Sequence, residues 1–190
     1  WRQTDRRPAI VFFFGGGWRA GTTEQFLYQA DHLARRGLVA ARADYRVRSR
    51  HGTSPDKCVE DAKSAVRWLR RKADDLGIDP KRMVAAGGSA GGHIAACAAF
   101  TEGVDSPGED LSVPAKPNAL VLFNPVLDVT ALPKRLSRGL EDPKIAEAIS
   151  PTRKLDAEAP PAILFYGTTD RLLAQGREFL EASAKIGNRV

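Results

Sequence analysis

The sequence is poor in the residues that mark specialised scaffolds. It has two cysteines, Cys58 and Cys97, both in stretches with helical spacing and neither at metal-ligand spacing from a second donor. No metal site is expected, and the pair neither requires nor excludes an oxidising compartment. No apolar run approaches the ~18 residues that a membrane-spanning helix needs. There is no internal repeat and no low-complexity tract. Aromatic residues make up 7%, and they do not interleave with basic residues as in single-strand nucleic-acid binders. The formal net charge is +6, yet the basic residues are scattered, with local clusters only at Arg46-Val47-Arg48-Ser49-Arg50 and Lys134-Arg135. A solvated basic surface is therefore expected, with no nucleic-acid partner. Histidine is scarce, at three residues: His32, His51 and His93. The sequence opens at Trp1 with no initiator methionine. Any export signal is expected upstream of it, which leaves the compartment open.

What is present has the balance of a soluble globular domain, with 43% hydrophobic and 27% charged residues. The length of 190 residues suits one domain, 1–190, with a sizeable core. Pro8–Phe14 is a short continuous apolar run ended by Gly15-Gly16-Gly17, and so reads as a strand buried on both faces. Thr22 and Gln25 have capping-box spacing for a helix whose face is Phe26, Ala30, Leu33 and Ala34, stopped by Gly37. Leu38–Tyr45 is the next strand. Ser54-Pro55 opens a second helix with Val59, Ala62, Val66, Leu69 and Ala73 as its buried stripe, closed by Gly77. A strand over Lys81–Ala86 leads through a glycine-rich turn into an alanine-rich helix reaching about Phe100. Ala119–Pro125 and Ala162–Gly167 read as two further buried strands, and a last helix covers about Ala174–Lys185. The alternation predicts an α/β fold, a mostly parallel, doubly wound sheet with helices on both faces. Two long connections, Gly103–Asn118 and Asp128–Pro160, are expected to be lids at the carboxyl ends of strands.

The chemistry centres on Gly87-Gly88-Ser89-Ala90-Gly91, a strand–turn–helix with one serine at its apex. A small residue is needed two places on either side, because a Cβ there collides with the neighbouring strand or helix. This pentapeptide, with Phe14-Gly15-Gly16-Gly17-Trp18, Asp44-Tyr45-Arg46, Gly77–Arg82 and Tyr166-Gly167-Thr168-Thr169-Asp170, resembles the α/β-hydrolase superfamily. The resemblance is nearest to small bacterial carboxylesterases of the hormone-sensitive-lipase-like and acetyl or feruloyl esterase-like branches. It implies Ser89 as nucleophile, Asp170 as the acid that orients a histidine base, and backbone N–H groups of Gly16, Gly17 and Ala90 as the oxyanion hole. No cofactor is implied, and the partner is a small-molecule ester. Trp18 either lines the acyl pocket or packs in the core, His51 is a candidate substrate contact on a loop, and Asp128 is the alternative acid.

Two departures stand out. Phe14 replaces the histidine that usually braces the glycine loop. No histidine follows Asp170, where the superfamily order places the base, and His93 lies one turn beyond Ser89 on its own helix and reads as structural. The expectation is a hydrolase core that lacks the N-terminal strands, the C-terminal strand and the histidine loop, and is nearly inactive alone. Competing readings are a prolyl-peptidase-like or thioesterase specificity, a noncatalytic module of the same fold, and a dinucleotide-binding oxidoreductase. The last rests on Gly15-x-Gly17-x-x-Ala20 with Asp44 one strand later.

Overall fold

The computed structural model describes residues 2–133 and 139–190, so the Lys134-Arg135 cluster lies outside the described residues. Five strands form one all-parallel sheet in the order β2-β1-β3-β4-β5. They are β1 (Arg7–Phe13), β2 (Val39–Ala43), β3 (Ile78–Gly88), β4 (Ala119–Phe123) and β5 (Ala162–Phe165). The helices are α1 (Leu27–Arg35), α2 (Arg48–His51), α3 (Pro55–Arg71), α4 (Ala73–Leu76), α5 (Ala90–Phe100), α6 (Pro143–Ala148) and α7 (Leu173–Lys185). This is the parallel α/β sheet that the alternation of strands and helices predicts.

Alternation along the strands divides the core. Ala9, Val11 and Phe13 of β1 face a large cluster with α3, α5 and Phe179 of α7, whereas Ile10 and Phe12 face Phe26 and Ala30 on the α1 side. Every residue of α5 is buried, which is why that stretch is apolar all round. The chain leaves β1 for β2 on one side and returns for β3 on the other. The carboxyl ends of β1 and β3 therefore flank the switch point where open α/β sheets leave a crevice.

Several local expectations need correction. Thr22 makes no side-chain cap. Residues Thr23–Phe26 form a 3-10 turn ahead of α1, and Gln25 turns its carboxamide to the glycine loop instead. Ser54 likewise caps no backbone group, because its hydroxyl donates to Asp56, although Pro55 does open α3. The second helix breaks at Lys72, and Ala73 begins α4 before the left-handed Gly77. The segment from 103 to 118 follows α5 and enters β4 at its amino end, so it is no lid over the carboxyl ends. Arg70 bonds the Pro114 and Lys116 carbonyls, Arg67 bonds Val113, and Lys63 holds Thr101 and Asp105. Strand β5 is only half covered, with Ile163 at 49% and Phe165 at 46% exposure, because α1 does not extend over that end of the sheet.

Candidate active site

Parallel register brings the two glycine-rich segments together. Phe13 is level with Gly87, so the chain leaving β1 runs directly beside the turn leaving β3. A Cβ on Gly87 would lie 2.5 Å from the Gly91 carbonyl, and one on Gly91 would strike the Phe13 and Phe14 carbonyl oxygens. The spacing of small residues is thus dictated by backbone packed on backbone. Gly88, between them, meets nothing closer than 3.4 Å.

Ser89 pays for this turn with φ 52° and ψ −117°, outside the usual regions for an L-residue. Its N–H donates to the Phe123 carbonyl (2.8 Å) and its carbonyl accepts from His93 N (2.9 Å), which fixes the apex between β4 and α5. Ser89 is half-buried, and its hydroxyl makes no hydrogen bond among the described residues. Ala90 is the first residue of α5, so its N–H is one of the donors that a helix start leaves unpaired.

The glycine loop closes against Ser89. Gly16 has φ 132°, and its carbonyl accepts from Arg19 N (3.1 Å) and Ala20 N (3.2 Å). Gly15 N donates to Gln25 Oε1 (2.5 Å), a brace that the sequence pattern assigned to a helix cap. The N–H groups of Gly16, Gly17 and Ala90 donate to no acceptor among the described residues. Phe14, where the family usually has a histidine, is packed at the base of the glycine loop. Its ring stacks on Tyr45 at 4.2 Å and fills the space above Gly21, and its carbonyl accepts the Tyr45 hydroxyl (2.7 Å). Burial pushes that phenol well above its ordinary range.

A cavity of about 620 Å³ opens here, lined by Gly16, Gly17, Trp18, Ser89 and Ala90, with Pro55, Val126, Leu132 and Leu172 adding to its apolar wall. Trp18 lines the cavity yet is only 4% exposed, and its indole Nε1 donates to His93 Nδ1 (3.1 Å). His93 Nε2 in turn donates to the Ile149 carbonyl (2.7 Å). The ring is therefore the neutral Nε2–H tautomer, with both nitrogens used. Burial pushes its pKa down to about 4, against the raising effect of the Ile149 bond. His93 is held away from base duty.

The Asp170 loop reaches the same cavity through Arg171 and Leu172. Asp170 Oδ1 accepts from Leu172 N (2.8 Å), which orients the carboxyl and leaves its second oxygen for another partner. Asp128 is differently placed. It accepts from Thr130 N, Thr130 Oγ1, Ser150 Oγ and Arg153 Nε, so its carboxyl is spent on its own loop. Burial pushes that acid upward, but the bonds from Thr130 and Arg153 prevail and hold it below the usual carboxylate range. His51 does not line the cavity. It is exposed on α2, and its Nδ1 accepts from its own Val47 N (3.1 Å). His32 sits on α1 against Arg36. Asp44, required by the dinucleotide reading, is clamped by both terminal nitrogens of Arg50 (2.8 and 2.6 Å). The sequence patterns missed Gln25, and also Arg19, Arg48 and Arg171 on the cavity wall.

The family profile named BD-FAE matches residues 2–181, the span that carries every element of this site. The chain belongs to the BD-FAE family. Among curated relatives, Esterase LipC of Mycobacterium tuberculosis is 28% identical over 211 residues, covering 95% of this chain and 50% of its own length. The apo form of Thermogutta terrifontis esterase 2 superposes with a TM-score of 0.94 at 47% identity, covering 100% of this chain and 72% of the other. The same esterase phosphonylated by sarin gives a TM-score of 0.94 at 45% identity over the same shares. The chain spans about half the length of the curated relatives it matches.

Proposed function

We propose that the whole protein is a serine carboxylesterase that hydrolyses small acyl esters through an acyl-enzyme, with acetyl or feruloyl esters of carbohydrates as the substrate class. The observation that carries this reading is that one cavity is lined by Ser89 together with Gly16, Gly17 and Ala90, whose N–H groups are unengaged among the described residues. Its size of about 620 Å³ suits a small organic ligand. The Ser89 oxygen attacks the ester carbonyl as its proton passes to a base. The three amides meet the negative charge that develops on the carbonyl oxygen, each worth roughly 2.7–4 kcal/mol. Collapse expels the alcohol, and water repeats the sequence on the acyl-serine. Asp170 is the acid that orients the base.

None of His32, His51 and His93 is placed to be that base. Residues 1–190 alone are therefore expected to be slower by a factor on the order of 10⁶ than an enzyme with a complete triad. That placement also favours a second reading, a noncatalytic binding module of the same fold. Hydrolysis of short-chain p-nitrophenyl esters by the whole protein separates them. Turnover that disappears in Ser89→Ala supports the esterase; turnover unaffected by that change, or absent from the whole protein, rejects it.

A further inference from the structure

We propose that this site takes esters bearing a second, anionic group, a carboxylate or comparable oxyanion, on the acyl or the alcohol side. The proposal deepens the esterase reading and rests on it. Three arginines line the Ser89 cavity from three separate segments: Arg19 on the glycine loop, Arg48 opening α2, and Arg171 beside Asp170. No aspartate or glutamate lines it among the described residues. None of the three arginines has an ion pair or a side-chain hydrogen bond among those residues.

Elsewhere the fold uses its carboxylates to hold arginines. Arg46 is held by Asp61 and Glu60, Arg50 by Asp44, Arg67 by Asp105 and Arg153 by Asp128. Asp170, next to Arg171 in the chain, and Glu141 form no ion pair with a cavity arginine among the described residues. Asp170 spends Oδ1 on Leu172 N (2.8 Å), and Glu141, which feels Arg48, accepts from Gly139 N (2.9 Å). Two of the arginine segments are also stitched together. Arg48 N donates to the Trp18 carbonyl (3.0 Å) and Ser49 N to the Arg19 carbonyl (2.9 Å). The positive end of α5 and the free amides of the glycine loop add field of the same sign. Guanidinium forks recognise planar oxyanions through paired N–H donors, so a carboxylate a few bonds from the scissile carbonyl is the group that this wall fits.

Titration calorimetry with non-hydrolysable amides tests the idea without needing catalysis. The alcohol-side arm compares 4-acetamidobenzoate with 4-acetamidobenzamide; the acyl-side arm compares N-phenylsuccinamate with N-phenylsuccinamide. In at least one arm the carboxylate is expected to bind about tenfold more tightly than its carboxamide, equivalent to roughly 1.4 kcal/mol. That preference should shrink at high ionic strength and vanish in the combined Arg19→Gln, Arg48→Gln, Arg171→Gln variant. Equal binding in both arms, no measurable carboxylate binding in either, or a preference that survives the triple change overturns the proposal. Hydrolysis of p-nitrophenyl acetate by the whole protein reports separately on the esterase. Discrimination without hydrolysis removes the esterase reading, and hydrolysis without discrimination removes this one.

Discussion

Two non-glycine residues on the cavity wall are held at positive φ, Trp18 at 59° and Ser89 at 52°. Such conformations cost about 1–3 kcal/mol each and persist only where surroundings over-determine them. For Trp18 the determinant is His93, which takes the indole N–H at Nδ1 and passes its own N–H to Ile149. One imidazole thus ties the glycine loop, α5 and the start of the 150s turn together, and only in its neutral form. Between its ordinary 6.5 and the buried value of about 4, His93 holds fewer protons folded than unfolded. Stability therefore rises with pH across that window, is complete above about 6.5, and falls as acid is added toward 4. The linked change is on the order of 3 kcal/mol. Urea unfolding of the native chain and of His93→Gln, followed from pH 7 to pH 4, should show a steeper acid loss in the native chain. Parallel curves would mean that the histidine is not held neutral. His93 could be set aside as base from its position one helical turn beyond Ser89, whereas its grip on Trp18 could not be read from the sequence.

The element least legible in the sequence is the connection from α5 to β4. Its proline and acidic residues have the composition of a lid, and composition alone does not name partners. Those partners are on α3, where Lys63 and Arg67 point inward and meet Asp105 at 2.8 and 2.6 Å. Their side chains are only 5% exposed, so two cations are buried on the strength of one carboxylate. Removing it strands both, which typically costs about 3–5 kcal/mol against a total stability of roughly 5–15. Asp105→Ala should therefore unfold at a clearly lower urea midpoint, with Asp105→Asn falling between. A midpoint matching the native chain would show that this segment is not a strap. By contrast β1, α5 and the serine turn were legible, because an unbroken apolar run, an all-round apolar helix and a backbone collision at Gly87 and Gly91 each admit one geometry. Gln25 was misread for a related reason. Capping-box spacing is a local rule, and the Gly15 N–H that claims its carboxamide is brought there by the sheet.

At the scale of the molecule the sheet is unevenly covered. On the α3 side α3, α5 and α7 span it, but on the other face the cluster around Phe26 and α1 takes in residues of β1 to β4 and none of β5. The apolar residues that β5 turns to that face, Ile163 and Phe165, remain about half exposed, with Phe165 stacked on Phe123 at 5.2 Å. The outer edge of β5 is occupied where Ala162 N donates to the Arg189 carbonyl (3.0 Å). A parallel edge strand with a bare apolar face is a template for pairing with another chain, and charge on such a strand is the usual protection. Net charge of +6 opposes association at long range, but the patch itself carries no charge. Residues 1–190 are accordingly expected to self-associate as concentration and ionic strength rise, since salt screens the repulsion and leaves the apolar attraction intact. Ile163→Lys with Phe165→Lys should suppress this, because both side chains point away from the α3-side core. Light scattering over a concentration series, with and without added salt, measures the effect. If the double lysine variant aggregates as readily as the native chain, the exposed face of β5 is not the surface responsible.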